Sequence, residues 1–170
     1  MNSLNFFGEF LGALWFILPA YFASISPVWF KLRGKMPLDF GRTFRGKPIF
    51  GPSKTVKGFI GGALCGALLG GIQQFVFGRF EGLLLGFLLG FGAMTGDAVK
   101  SFFKRQHGYP PGKSWFPFDQ LDFVVGGIVF AAAVQMPTLI GLVIILAVTP
   151  PLHLLSNIAD HKAGLKEVPY

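Results

Sequence analysis

Three aspartates in the middle of the chain have the residue type and the spacing to hold a divalent cation. Asp119 and Asp122 are three residues apart, so a helix that begins near them directs both carboxylates to one side. Two carboxylates that close repel each other unless a cation lies between them, and hard oxygen ligands suit Mg²⁺. Helix capping is the alternative, but it accounts for one acid better than for two. Asp97 completes the predicted Mg²⁺ site if the two helices are neighbours.

Asp97 lies at the end of the apolar run GLLLGFLLGFGAMTG, where a carboxylate is costly. At hydrocarbon depth, insertion of a charged carboxylate costs about 2.5–3.5 kcal/mol, so the side chain needs an oppositely charged partner or a functional role. If the helix continues, Lys100, Ser101 and Lys104 share one face with it. An internal ion pair with Lys100 or Lys104 is one explanation. A Mg²⁺ ligand beside cations that bind phosphate is the other.

Basic residues close to the aspartates predict a phosphate-rich ligand. Lys113 lies in the Gly- and Pro-rich loop HGYPPGKSWFPF, and Lys104 and Arg105 precede that loop. A flexible loop that bears a lysine can fold over phosphate groups.

A second basic segment ends in GPSKTVKG, directly before another apolar run. Ser53 or Thr55 can cap the helix that follows, and Lys54 adds its charge to the backbone amides at the helix N-terminus, which makes an anion site. The segment is not a P-loop, because GxxxxGK[ST] is absent. The alternative is that these cations orient the chain in a membrane and attract anionic lipid.

The composition indicates a membrane protein. The 170 residues form one domain by length, and they are 52% hydrophobic and only 14% charged. Apolar runs near 20 residues recur, which matches a bilayer core about 30 Å thick. In this setting the net charge of +7 is explained by basic loops, so we expect no nucleic-acid partner. Cys65 is the single cysteine, which excludes a disulfide framework.

We therefore predict an all-α membrane protein with a single domain over 1–170 and five transmembrane helices. The last helix is expected to break at Pro150-Pro151. Rows of glycines at helical spacing, at 58–70 and 82–90, predict that the second and third helices pack closely. The predicted spans are 6–30, 59–77, 82–99, 121–136 and 138–155, with long loops at 31–57 and 100–120.

The basic residues also predict the orientation. Of the 15 Lys and Arg residues, all but Arg79 lie in the two long loops or the C-terminal tail, at Lys162 and Lys166. Cytoplasmic loops carry such an excess, so we expect the N-terminus outside and the site at the cytoplasmic face of the cell membrane.

These motifs resemble a known family. The pattern GD-x3-S-x2-KR…K…D-x2-D is similar to the signature of the CDP-diacylglycerol synthases, and P-x-K-T-x-x-G at 52–58 is similar to a second segment of that family. The chain is much shorter, has Lys57 in place of Glu and Ser114 in place of Asp, and lacks H-G-G. Those departures resemble the archaeal branch, the CDP-archaeol synthases. The residues on the first pattern are Asp97, Ser101, Lys104, Arg105, Lys113, Asp119 and Asp122.

The resemblance implies transfer of CMP from CTP to an isoprenoid ether lipid phosphate, unsaturated archaetidic acid, with release of pyrophosphate and with Mg²⁺ as cofactor. The lipid identity comes from the resemblance alone. The lipid phosphate is the nucleophile, so the protein contributes positioning and charge. The expected roles are metal binding by Asp97, Asp119 and Asp122, which with Lys104 form the catalytic set, and phosphate binding by Lys54, Thr55, Ser101, Lys104, Arg105 and Lys113.

Two other functions remain open at this stage. A CTP-dependent isoprenoid-alcohol kinase also needs carboxylates and a basic loop, although the segment at 52–58 argues against it. A small channel or a non-catalytic lipid-binding scaffold is a different class. A channel needs polar residues along its length, whereas here they cluster at one end. The sequence does not specify the oligomeric state.

Overall fold

The computed structural model describes residues 3–30, 32, 34–78, 81–110 and 113–165. Over these ranges the chain forms five helices and one short hairpin, so the prediction of an all-helical protein is confirmed. Lys31, Arg33, Arg79 and Lys166, which entered the prediction of orientation, lie outside the described residues. The elements are α1 (Ser3–Trp29), β1 (Thr43–Phe44), β2 (Lys47–Pro48), α2 (Val56–Phe77), α3 (Gly82–Gln106), α4 (Phe118–Ala131) and α5 (Leu139–Lys162).

Four of these helices are long and apolar enough to cross a membrane. They contain the segments Asn5–Trp29, Val56–Val76, Gly82–Gln106 and Leu139–Lys162. The remaining helix, α4, has 14 residues, which at about 1.5 Å per residue is shorter than a hydrocarbon core of about 30 Å. The protein is therefore a multi-pass membrane protein by length and composition.

Polar residues extend some helices beyond the predicted spans, whereas α4 ends early, at Ala131 rather than 136. α3 runs to Gln106 rather than 99, and α4 begins at Phe118 rather than 121. The predicted break at Pro150-Pro151 is wrong, because α5 continues through both prolines. The preceding Thr149 holds this turn in place: its hydroxyl donates to the Ile145 carbonyl at 2.6 Å and contacts the Tyr21 hydroxyl of α1 at 2.7 Å.

Glycines bring α2 and α3 into backbone contact, as the sequence pattern predicts. A Cβ placed on Gly66 would lie 2.7 Å from the Gly90 Cα, and one on Gly70 would lie 2.6 Å from the Gly86 Cα. Real Cβ atoms do not approach other atoms so closely, so only glycine fits at these crossings.

A second glycine contact, between α3 and α4, was not predicted. A Cβ on Gly96 would lie 2.1 Å from the Asp122 carbonyl oxygen, and one on Gly126 would lie 2.2 Å from the Gly92 carbonyl oxygen. This contact brings the start of α4 against the polar end of α3. It therefore sets the distance between Asp97 and Asp122.

The apolar core lies where α1, α3, α4 and α5 meet. Ile17, Leu89, Val124 and Ile145 are fully buried there. Many large apolar side chains on the outer faces are exposed, among them Phe75 at 91%. Such an exterior is stable in lipid rather than in water.

Candidate active site

A cavity of about 310 Å³ opens at the end of the helices where α2 and α4 begin and α3 and α5 finish. This volume is at the lower end of the range for small-molecule sites. The hydroxyl, amide and imidazole side chains of Ser24, Ser156, Asn157 and His153 from α1 and α5 also line it. Its charged lining consists of Lys54, Lys100, Lys104, Lys113, Asp97, Asp119 and Asp122.

Lys100 lies at the centre of this charged lining. Its Nζ is 3.1 Å from Asp97 Oδ1, 2.9 Å from Asp119 Oδ1 and 2.8 Å from Asp122 Oδ2. The sequence pattern predicts Lys100 either as an ion-pair partner of Asp97 or as one of the cations beside it, but the predicted site residues do not include it. Its spacing of three residues from Asp97 was the available signal, because the continuation of α3 places both residues on one face.

Two further lysines complete a network of ion pairs. Lys54 is paired with Asp97 Oδ2, and Lys104 Nζ lies 3.0 Å from each carboxylate oxygen of Asp119. The expected internal ion pair of Asp97 therefore forms with Lys100, while Lys104 pairs with Asp119 instead. Asp119 also accepts a hydrogen bond from the backbone amide of Trp115, so it fixes the loop that leads into α4.

The segment that precedes α2 places Lys54 and Thr55 against this network. Thr55 is the N-cap of α2, and its hydroxyl oxygen accepts hydrogen bonds from the amides of Gly58 and Gly34, both at 3.2 Å. The predicted capping role of Thr55 is confirmed. The backbone amide of Leu38 donates to the Lys54 carbonyl at 2.7 Å, which joins the segment to the earlier part of the loop.

Asp39 holds that loop in its folded shape. Its carboxylate is 6% exposed and accepts hydrogen bonds from the amides of Phe50 at 2.8 Å and of Gly51 and Gly41, both at 3.0 Å. Burial alone would raise the pKa of Asp39, but the hydrogen bonds outweigh burial and hold the pKa below its usual value. The sequence predicts no role for Asp39, since its partners are backbone groups.

Lys113 lines the cavity, whereas Ser101 and Arg105 lie behind it. The Lys113 ammonium is 5.3 Å from the centre of the Tyr109 ring. Ser101 donates to the Asp97 carbonyl at 2.8 Å, and the Arg105 guanidinium donates to the Tyr109 carbonyl at 2.6 Å. Both of these residues therefore stabilise the walls of the cavity. Their predicted contact with phosphate stays a prediction.

The three aspartates have the chemistry of a site for a hard cation. Each directs a carboxylate oxygen to within 3.1 Å of one positively charged nitrogen. Over the described ranges, no group of three His, Cys, Asp or Glu side chains has the arrangement of a metal site, and these three carboxylates surround Lys100 instead. The Asp122 side chain is 6% exposed, and its Oδ2 has the ion pair with Lys100 but no aligned hydrogen bond. Carboxylate oxygens are the type of donor that Mg²⁺ prefers.

The fold and the cavity define a class of protein: a multi-pass helical membrane protein with a charged site at one end of its helices. The comparisons identify the family. Residues 6–170 match the family described as CarS-like CDP-archaeol synthase, and the chain belongs to that family. The resemblance inferred from the motifs is confirmed.

Individual relatives agree with this assignment. The CDP-archaeol synthase of Pyrococcus furiosus is 42% identical over 165 residues, which covers 94% of this chain and 98% of that protein. The CDP-archaeol synthase of Methanospirillum hungatei is 39% identical and covers 91% of this chain and 100% of that protein. A solved structure described as an intramembrane enzyme for archaeal membrane lipid biosynthesis superposes with a TM-score of 0.78 at 29% identity, over 87% of this chain and 94% of that one.

Proposed function

We propose that this protein transfers CMP from CTP to unsaturated archaetidic acid, a glycerol-1-phosphate with two geranylgeranyl ethers, and forms CDP-archaeol and pyrophosphate. One observation carries the proposal: a cavity at the end of apolar helices contains four lysines together with three aspartates. Such a site suits two phosphate-bearing substrates, one of which has lipid tails. The family relationship supports the same activity.

The reaction needs no nucleophile from the protein. An oxygen of the lipid phosphate attacks the α-phosphorus of CTP and forms a new P–O bond. The bond between the α- and β-phosphates breaks, and its electron pair leaves with pyrophosphate. Both reactants are anions, so the barrier is lowered chiefly by holding them in line and by offsetting their charge.

We assign that task to the lysines of the cavity. Lys54, Lys104 and Lys113 extend into the cavity from three different segments of the chain, so together they can contact several phosphate groups. Ammonium groups aimed at the departing oxygens stabilise the charge that develops on pyrophosphate. Ser101 and Arg105 keep Asp97 and the loop after α3 in position.

Asp97, Asp119 and Asp122 are the proposed ligands of Mg²⁺. When bound, the ion neutralises charge on the triphosphate and on the leaving pyrophosphate. Asp97 and Asp122 come from α3 and α4, which the contact at Gly96 holds together. The metal site therefore depends on the packing of those two helices.

The lipid acceptor reaches the cavity from the membrane in this proposal. Ile25 and Val28 of α1 line the cavity beside the charged residues, so its wall is partly apolar. The geranylgeranyl chains lie between helices, while the phosphate remains at the charged end. We propose that this end faces the cytoplasm, that the N-terminus lies outside, and that α4 is a fifth, short membrane segment.

One assay tests the activity. Purified protein receives labelled CTP and Mg²⁺ with archaetidic acid, with phosphatidic acid, or with an isoprenoid alcohol, and CDP-lipid and pyrophosphate are measured. We expect CDP-lipid and an equal amount of pyrophosphate from archaetidic acid. Formation of a phosphorylated alcohol without CDP-lipid would show a kinase instead. If neither phosphatidic-type acceptor yields CDP-lipid, the proposed function is wrong.

A further inference from the structure

Lys100 lies among the three aspartates that we propose as metal ligands. Within the described part of the chain, Lys100 is the cation that contacts all three cavity aspartates, whereas Lys54 contacts Asp97 and Lys104 contacts Asp119. The Lys100 side chain is 14% exposed. Its ammonium therefore lies at the position where the three carboxylates converge, which is also where their oxygens would hold a metal ion.

This position cannot hold both cations at once. An ammonium and a Mg²⁺ ion that share the same carboxylate oxygens would repel each other strongly at a distance of a few ångströms. Lys100 has a flexible four-carbon stem, so its ammonium can leave the carboxylates without any movement of the helix backbone. Departure removes three ion pairs, so it needs a new anionic partner.

The charge balance indicates what that partner is. The network pairs three carboxylates with three ammonium groups, so it is close to neutral before any ligand binds, and Lys113 adds one further positive charge to the lining. A divalent cation added alone leaves an excess of positive charge in a partly buried site, which is unfavourable. A triphosphate that arrives with the cation restores the balance and offers oxygens to Lys100.

We propose that the Lys100 ammonium and the divalent cation compete for one position among the three carboxylates, and that the triphosphate ends the competition by binding Lys100. Lys100 thereby becomes a phosphate-binding residue of the loaded site and keeps the metal site closed before CTP arrives. Metal and nucleotide bind interdependently, each raising the affinity of the other. This inference rests on the proposed use of the three aspartates as metal ligands.

Metal binding without turnover tests the competition. Mn²⁺ affinity is measured by electron paramagnetic resonance on detergent-solubilised protein without nucleotide, for the wild type, Lys100→Met and Lys104→Met. We expect Lys100→Met to bind Mn²⁺ about tenfold more tightly than the wild type or better, since it no longer loses ion pairs on binding. Lys104→Met is the matched control, because it also removes one ammonium group, but that group contacts Asp119 alone among the three aspartates. Equal affinities for the two variants would show that net charge, not position, matters, and would overturn the inference.

A measurement on the wild type keeps the test decisive even if Lys100→Met folds poorly. Mn²⁺ affinity is compared with and without a CTP analogue whose α,β-bridging oxygen is replaced by CH₂. We expect the analogue to raise Mn²⁺ affinity about tenfold or more, beyond the binding of Mn²⁺ to the free analogue. Unchanged affinity would contradict the proposal. Neither Mn²⁺ measurement depends on the formation of CDP-lipid. If both give the expected results but the activity assay yields no CDP-lipid, the proposed reaction is wrong and the competition at Lys100 is still supported.

Discussion

At the scale of single residues, the important feature of the site is which charged side chains contact each other. Asp97, Asp119 and Asp122 were predicted to act together, and the structure directs all three to Lys100. The residue types and spacing were sufficient to identify the acids, because carboxylates beside apolar runs are costly. They were not sufficient to identify the shared partner, since a helical face offers several lysines.

Asp122→Asn tests the proposed role of the most buried carboxylate in the cavity. We expect CDP-lipid formation to fall about 100-fold or more, because the neutral amide is a poor ligand for a hard cation. Lys100 keeps its ion pairs with Asp97 and Asp119, so the fold is expected to survive. The kcat of the purified variant and its thermal unfolding are measured together.

Asp160→Asn is the matched control. Asp160 is also shielded from solvent, at 3% exposure of the residue, but its carboxylate accepts from the Trp29 indole at 3.0 Å and does not line the cavity. We expect near-normal turnover for this variant. A folded Asp122→Asn protein with near-normal kcat would reject the metal assignment.

At the scale of elements, two different kinds of contact position the charged side chains of the cavity. Glycines let α3 and α4 touch at Gly96, and hydrogen bonds to Asp39 shape the loop that carries Lys54. The glycine contact between α2 and α3 was predicted from the two long glycine rows. The contact between α3 and α4 was not, because it uses fewer glycines on a shorter helix.

Gly96→Ala is expected to separate α3 from α4. Its Cβ would meet the Asp122 carbonyl oxygen at 2.1 Å, so backbone must shift, at a cost of about 1–3 kcal/mol. We expect a lower unfolding temperature and a loss of CDP-lipid formation. Gly8→Ala in α1 is the control, since its Cβ meets nothing within 4 Å. Equal stability of the two variants would contradict the close contact.

The Asp39 loop is expected to be pH-dependent. Because folding lowers the pKa of Asp39, its hydrogen bonds contribute stability above the pKa of an unfolded aspartate, about 3.9. That contribution is lost as the pH falls through the lower folded pKa. Hydrogen exchange at Phe50 and Gly51 should therefore accelerate at acid pH after correction for intrinsic rates. Asp39→Asn should remove this dependence, and a pH profile unchanged by that substitution would refute it.

At the scale of the whole molecule, the charged cavity and the loop that contains Arg45 lie at one end of a bundle with an apolar exterior. We expect the loop that contains Arg45 to face the cytoplasm and the turn that contains Glu81 to face outside. Both residues are exposed, so Arg45→Cys and Glu81→Cys in a Cys65→Ser background can be labelled. A membrane-impermeant maleimide should modify Glu81→Cys in intact spheroplasts and Arg45→Cys only in inverted vesicles. The opposite pattern would reverse the proposed orientation.

The sequence by itself determined the class of protein, the close packing of α2 with α3, and seven charged or capping residues that line one cavity: Lys54, Thr55, Asp97, Lys104, Lys113, Asp119 and Asp122. These features follow from apolar run length, glycine spacing and the cost of charge near lipid, all of which are local along the chain. Tertiary structure alone decided that α5 continues through Pro150-Pro151, that Asp39 holds the basic loop, and that Lys100 joins the three carboxylates. The contacts of Thr149 with Tyr21 and of Lys100 with Asp119 and Asp122 join different helices, so they form only when the helices pack. The contacts of Asp39 are with backbone amides, which no side-chain pattern in the sequence indicates.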